Sequence, residues 1–504
     1  MFGRRASPEP GPVPARAPTR KAKISGWVLA AVLAAGWGAG SALWTPRGPL
    51  TAGEAIWSTA ISIAVGLGSG ALTRSRLAAA LAPVVFVLAL ELTRMDIVGP
   101  SVDRPHASLY GAIVLVLGRG VHAVYTVVPL VLGAILGAAA RRQGATTGAR
   151  ARWVRRTGTV LTGVLLVAAV AVTTRPARTA AIPASPEAVG ESIAELTTVR
   201  AGGHELGLML RGRHARAPVL LYLAGGPGGS ERGAMRIDPA LEELFVVATW
   251  DQRGAGSSYR ALDPTDTLTF EAALSDTIEV SEQLRDRFRQ ERIYVVGQSY
   301  GSLLAVLAAH RRPDLYHAVI GTGQMVSVVE TDRMFYADSL AWARRTGRED
   351  LLVELERLGE PPYPNLLDYE TVISLEPQVN AYDHSPNAEG PGGFSEHIFA
   401  QEYTPLQRLH NLPAALDTFS VLYPQIQGVD LRADVPRLAV PLVLVQGRFE
   451  ARGRAELARE WFAMVQAPRK AWVELGTSGH RPIFQQPQEF AAAMNEHVLR
   501  PGRP

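Results

Sequence analysis

The chain has 504 residues, 47% of them hydrophobic, with 51 Lys and Arg against 47 Asp and Glu and no cysteine. That length exceeds one ordinary domain, and a mean hydropathy of +0.06 is high for a purely soluble enzyme. The missing thiol excludes disulfides, thiolate metal sites and a cysteine nucleophile. The basic residues flank apolar segments instead of interleaving with aromatics, which argues against nucleic acid as a partner and for a lipid bilayer.

Residues 1–23 are rich in Pro, Ala and Arg without hydrophobic period and read as a disordered basic tail. Apolar stretches follow at 24–44, 55–72, 77–92, 121–140 and 158–174, so 24–174 is expected to be a transmembrane region of about five helices. Buried helices of a soluble protein carry a polar stripe, and these carry none. A cleaved signal peptide competes for the first stretch but does not account for the other four. The short run 112–118 is too brief to span and reads as re-entrant or interfacial.

Orientation follows from the cations. Arg4, Arg5, Arg16, Arg20, Lys21 and Lys23 precede the first span, Arg74 and Arg76 follow the second, and Arg141, Arg142, Arg150, Arg152, Arg155 and Arg156 precede the last. The alternate loops hold Arg47, then Arg94, Arg104 and Arg119 beside Asp96 and Asp103. The positive-inside rule therefore sets the tail in the cytoplasm and everything after Thr174 outside the cell membrane. Glu54 and Glu91, at segment ends, read as interfacial carboxylates.

A Pro- and Ala-rich linker at 175–193 leads to a second domain, 194–504. Gly202-Gly203 between two alternating runs predicts a β-hairpin. Apolar runs at 219–223, 244–249, 293–296, 318–320 and 442–445, separated by amphipathic stretches such as 271–291, predict a mostly parallel sheet covered by helices, an α/β fold. The third run enters Gly297-Gln298-Ser299-Tyr300-Gly301 and then a helical stretch, which is G-x-S-x-G in its strand–turn–helix context and makes Ser299 the candidate nucleophile.

A serine hydroxyl needs a base to take its proton and an acid to orient that base. His480, after the strand-like 471–475, is the expected base, and His497 is a competitor inside a helical pattern. Glu450, just past the run 442–445, is the expected acid, against the alternative of a surface loop glutamate. The backbone N–H of Tyr300 and the loop Ala224-Gly225-Gly226-Pro227-Gly228-Gly229 supply candidate oxyanion donors. A phosphate-cradling role for that loop finds no G-x-G-x-x-G or P-loop lysine to support it.

Gly225-Gly226-Pro227-Gly228, Asp251-Gln252-Arg253-Gly254-Ala255-Gly256-Ser257 and Gly297-Gln298-Ser299-Tyr300-Gly301, in that order, resemble the proline iminopeptidase branch of the α/β-hydrolases over residues 195–504. The resemblance implies an α/β-hydrolase fold, a triad of Ser299, Glu450 and His480, an oxyanion hole from Gly226 and Tyr300, a structural role for the Asp251–Gly254 turn, and no cofactor or metal. Family members commonly have His where this chain has Ala224, and Asp where it has Glu450.

The insertion at about 324–436 reads as a helical cap, with helices expected at 330–346 and 349–358 and a Gly- and Pro-rich excursion at 382–394. In iminopeptidases cap carboxylates bind the substrate's free amine, and Glu330, Asp332 and Glu402 are the possible counterparts. The leading expectation is a membrane-anchored serine hydrolase of small amides or short peptides, aminopeptidase-like. A lipase-like esterase of lipophilic substrates and a non-catalytic membrane sensor or transport component are the alternatives.

Overall fold

The computed structural model describes residues 20–141, 149–182, 191–237, 239–380 and 400–500. The excursion expected at 382–394 lies outside the described residues. By its internal contacts the chain divides into two units: Met1–Trp44, Ile56–Arg94 and Ala123–Val167 form one, and Thr45–Ala55, Met95–His122 and Ala168–Pro504 form the other.

The first unit holds α1 (Arg20–Trp44), α3 (Ala78–Thr93), α6 (Val127–Ala140) and most of α2 (Ala52–Thr73) and α7 (Ala149–Thr173). Among the described residues, four helical stretches are long and apolar enough to cross a membrane: Ile24–Trp44, Ala52–Thr73, Leu109–Ala140 and Arg156–Thr173. Their length and apolarity suit a membrane-associated chain. The stretch Ala78–Thr93 is shorter. Gly66 and Gly70 of α2 face Gly133 and Gly137 of α6 so closely that a Cβ on any of them would overlap opposing backbone. Small residues at that spacing let helices approach where lipid supplies no hydrophobic drive.

The run 112–118 does not stand apart from the next apolar stretch. α4 (Leu109–Leu115), a π turn over Val116–Gly120, α5 (Val121–Tyr125) and α6 follow head to tail. Arg119, in the π turn, does not interrupt them, because its guanidinium reaches back to the Ser101 and Asp103 carbonyls at 3.0 and 2.8 Å.

The second unit holds an eight-stranded sheet in the order β1-β2-β4-β3-β5-β6-β7-β8. β1 (Ile193–Ala201) and β2 (His204–Gly212) form the expected hairpin, with Gly202 and Gly203 at φ +55° and +80° in the turn. β2 also runs antiparallel to β4 (Val246–Trp250), while β3 (Val219–Leu223), β5 (Ile293–Gln298), β6 (Tyr316–Thr322), β7 (Leu442–Gly447) and β8 (Lys470–Leu475) complete a parallel array. The period of two is read on both faces: Val219, Leu221 and Leu223 enter one core, Leu220 and Tyr222 the other. That two-sided burial is why β3 and β7 are apolar at nearly every position.

The chain passes from β3 to β4 on one side and then crosses to β5 on the other side of β3, so the strand order reverses there. In open parallel sheets ligands bind at the carboxyl ends of the strands beside such a reversal. α8 (Arg232–Ile237) follows β3, and α9 (Phe270–Phe288), N-capped by Thr269 Oγ accepting from Ala272 N at 3.0 Å, and α10 (Tyr300–Arg311) follow β4 and β5. Between β6 and β7 stand α11 (Val328–Thr346), α12 (Glu349–Leu358), α13 (Tyr369–Val379) and α14 (Pro405–Ile426). α14 opens on a capping box of Thr404 and Gln407.

The interspan segments Thr45–Ala55 and Met95–His122 are integral to this second unit. Arg47, buried, donates from Nε and Nη2 to Asp263 at 2.9 Å each and pairs through Nη1 with Asp417. Asp417 also accepts from Ser101 N at 2.9 Å, Ser101 Oγ at 2.6 Å and Tyr259 OH at 2.6 Å. The buried His410 ring meets the Pro49 carbonyl at 3.2 Å, and Glu370 of α13 accepts from Tyr110 N at 3.1 Å. Glu54 accepts from Leu50 N and Thr51 N at 2.8 and 3.1 Å and pairs with Arg260. Breaking one partner out of a buried ion pair costs about 3–5 kcal/mol, so these segments are bound parts of the unit and not slack loops.

Candidate active site

The chain reverses direction between β5 and α10 at Ser299, whose backbone lies at φ 54°, ψ −122°. A non-glycine residue there stores on the order of 1–3 kcal/mol of strain unless its surroundings hold it. The hold is visible: Ser299 N donates to Thr322 O at 3.0 Å, Ser302 Oγ donates to Ser299 O at 2.6 Å, and Met325 N donates to Ser302 Oγ at 3.0 Å. The flanking glycines are demanded by space. A Cβ on Gly297 would overlap the Gly301 carbonyl, and one on Gly301 would overlap the Leu223 carbonyl. The turn thus sets Ser299 at the tip of the central strand, with the first N–H groups of α10 beside it.

Glu450 follows β7 and His480 follows β8. The two connections are packed together: Phe449 N donates to Ser478 O at 3.0 Å, and Gly447 lies against the Ser478 and Gly479 carbonyls. His480 Nδ1 stands 2.7 Å from Glu450 Oε2. A carboxylate only accepts, so Nδ1 carries the proton and Nε2 is left with its lone pair, the tautomer a general base requires. Burial alone would raise the carboxyl pKa of Glu450. The charge of Arg454 and the His480 ring outweigh it and hold the pKa down to about 2. The His480 carbonyl accepts from Gln298 Nε2 at 3.3 Å, and its ring lies against Gly323, the residue after β6. Ser299, bonded to Thr322, and His480, packed on Gly323, therefore border the same strand end.

His497 is not brought to this place. It sits in the π turn Asn495–Leu499, with Glu496 Oε1 3.6 Å from its Nε2.

The loop after β3 is folded back by Gly229 N donating to Gly225 O at 3.0 Å. Gly225 approaches the nucleophile turn so closely that a Cβ there would meet Ser299 Cβ at 3.2 Å, and Gly226 takes φ +116°. Gly226 and Tyr300 thus lie on the two segments flanking Ser299. The Asp251–Gly254 turn supports this loop, since Gln252 Nε2 donates to Ala224 O at 3.2 Å. Asp251 accepts from Ser257 N at 2.9 Å, Ser257 Oγ at 2.7 Å and Tyr403 OH at 2.8 Å, and Arg253 pairs with Asp276 at 2.7 Å.

The three cap carboxylates part company. Glu330 is half exposed and pairs with Arg432 on the surface. Asp332 is buried, accepting from Tyr423 OH at 2.6 Å and Gln427 Nε2 at 3.4 Å, and burial pushes its carboxyl up to about 7. Glu402 is buried with Oε1 3.0 Å from Arg236 Nε, and its Oε2 has no hydrogen-bond partner among the described residues.

Two charged residues at the site carry no motif and were not singled out from the sequence. Arg454 Nε donates to Glu450 Oε1 at 2.8 Å, and its Nη2 donates to Glu376 of α13. The i, i+4 spacing of Glu450 and Arg454 was a readable signal; the partner 78 residues away was not. A cavity of about 780 Å³ lies within the same unit, its lining including Val98, Pro100, His106, Tyr363, Tyr369 and Tyr423.

A mostly parallel sheet whose central strand ends in a glycine-flanked serine at positive φ defines an α/β-hydrolase. The family model for the alpha/beta hydrolase fold matches residues 218–392. Over 315 residues the chain is 28% identical to the probable aminopeptidase YbaC of Bacillus subtilis, covering 61% of this chain and 97% of that one. It is 22% identical to the proline iminopeptidase of Heyndrickxia coagulans over 287 residues, 56% of this chain and 90% of the relative. The chain is a proline-iminopeptidase-like α/β-hydrolase. The crystal structure of proline iminopeptidase from Mycobacterium smegmatis aligns with a TM-score of 0.43 at 18% identity, covering 61% of this chain and 98% of that chain.

Proposed function

We propose that this hydrolase cleaves small amides, foremost the N-terminal residues of short peptides, through an acyl-enzyme on Ser299. The observation that carries the reading is the pairing of His480 Nδ1 with buried Glu450 at 2.7 Å beside the strained Ser299 turn. Ser299 Oγ attacks the carbonyl carbon as His480 Nε2 takes its proton. The tetrahedral oxyanion is met by the N–H groups of Gly226 and Tyr300, each worth on the order of 10²–10³ in rate. His480 then gives its proton to the leaving amine, and water, deprotonated by the same nitrogen, releases the acid. Glu450 holds the ring and balances the imidazolium. No step requires a cofactor or metal.

The catalytic unit is proposed to lie outside the cell membrane. Lys and Arg crowd the tail, the α2–α3 connection and the start of α7, which favours those regions in the cytoplasm. The segments Thr45–Ala55 and Met95–His122 belong to the unit that holds Ser299, so they share its side. That parity requires two crossings between them, which makes α3 a span despite its 16 residues. At about 1.5 Å per residue α3 reaches about 24 Å, short of the usual 30 Å, a mismatch that local thinning of the bilayer accommodates.

One observation favours a second reading, a lipophilic ester as substrate. The aromatic cavity has Val98 and Pro100 in its wall, only five and seven residues beyond the end of α3 at Thr93. An acyl chain would find an apolar and aromatic recess there. Hydrolysis of aminoacyl amides with free and acetylated amines, run beside simple acyl esters on wild type and Ser299→Ala, separates the readings. The peptidase reading expects turnover of the free-amine amides, lost on acetylation and in the variant. Ester turnover indifferent to the amine favours the lipophilic substrate, and turnover by the variant equal to wild type overturns both.

A further inference from the structure

We infer that Arg454 is a positioning residue of the triad: by bridging Glu450 to Glu376 of the cap helix α13, it fixes the orientation and the net charge of the carboxylate that faces His480. The inference rests on the proposed roles of Ser299, Glu450 and His480.

The geometry divides the two oxygens of Glu450. Oε1 accepts from Ala451 N at 2.8 Å and from Arg454 Nε at 2.8 Å, which leaves Oε2 turned to His480 Nδ1 at 2.7 Å. Arg454 is 5% exposed and Glu450 8%, so neither charge is screened by water. The guanidinium is itself clamped: its Nη2 meets Glu376, and its carbon lies 4.6 Å from the ring centre of Phe335 in α11. The planar fork of arginine joins two carboxylates at once, which a lysine ammonium does as a point charge only.

The charged and titratable groups around the triad acid and base include Glu450 and Arg454 after β7, His480 after β8 with its neighbour Arg481 paired to Glu231, Glu376 on α13 and Asp332 on α11, whose carboxyl burial raises to about 7. Glu450, Arg454 and Glu376 together carry one net negative charge beside the imidazole, and Asp332 adds its own only as pH rises through about 7. Removing the arginine charge leaves two carboxylates to stabilise the imidazolium; removing the Glu376 charge leaves none uncompensated. The two changes therefore move the base in opposite directions, by about one pH unit each for charges several ångströms away at an effective dielectric near 20. A residue that only supported the fold would not give opposite signs.

The test reads the pH dependence of the second-order labelling rate by a fluorophosphonate for the full-length chain in detergent, comparing wild type, Arg454→Met, Arg454→Lys and Glu376→Gln. Beside it, the His480 imidazole is titrated by histidine-selective NMR, assigned with His480→Asn. The acid limb and the imidazole titration are expected to rise by about one unit in Arg454→Met and to fall by about one unit in Glu376→Gln. Arg454→Lys is expected to restore the limb but not the full rate. Limbs and titrations that stay in place, or that move in the same direction, overturn the inference. Glu376→Gln keeps the hydrogen-bonding shape and serves if Arg454→Met does not fold. If no labelling is seen but the imidazole shifts with opposite signs, the positioning role stands and the serine mechanism falls.

Discussion

At the scale of single residues, Asp332 carries the clearest linkage between burial and pH. Its carboxyl ordinarily titrates near 3.8 and is pushed up to about 7 by burial, with Tyr423 and Gln427 opposing. The folded chain therefore holds a proton that the unfolded chain releases between about pH 4 and 7. Stability from this group falls as pH rises through that window and is level above it. Asp332→Asn removes the titration, so the variant gains on wild type between pH 5 and pH 8 by about 1–4 kcal/mol. Apparent unfolding midpoints at the two pH values check this, and a difference that does not change with pH contradicts it. The legibility of the site follows the same scale. Ser299 is readable because its signal is local, five residues at a strand end. Glu450 is plausible from position alone, and what marks it in the fold is burial against His480, thirty residues on. Glu376 is invisible in the sequence because a lone glutamate on an amphipathic helix reads as solvated face.

At the scale of elements, the strands were legible where they are buried on both faces, as in β3, β5 and β7, since an uninterrupted apolar run between turn signals leaves little choice. β1 and β8 are less buried, and their limits came from pairing rather than composition. In the cap, α11 and α12 follow from amphipathic period, while α13 and α14 did not: α14 contains Pro413 and Pro424, which break the pattern a helix is read by. α3 is the element whose role is most exposed to test. The chain contains no cysteine, so single cysteines report cleanly. A membrane-impermeant maleimide is expected to modify Asp103→Cys in intact cells and to spare Ser75→Cys until the membrane is opened. Equal modification of both contradicts a crossing by α3.

At the scale of the whole molecule, the two compact units are not two consecutive stretches of chain. Thr45–Ala55 and Met95–His122 leave the apolar helices to join the hydrolase unit, where Arg47, Asp263 and Asp417 bind them by buried charge. Hydropathy and motifs read as an apolar helical region followed by a hydrolase domain; they carry no sign of this exchange, because an arginine in a short loop and an aspartate 370 residues later share no common signal. Within that framework the proposed chemistry depends first on Ser299 as the nucleophile. Labelling the full-length chain with a fluorophosphonate tests it most directly. Wild type is expected to be labelled and Ser299→Ala to be silent, and equal labelling of the two would contradict the claim.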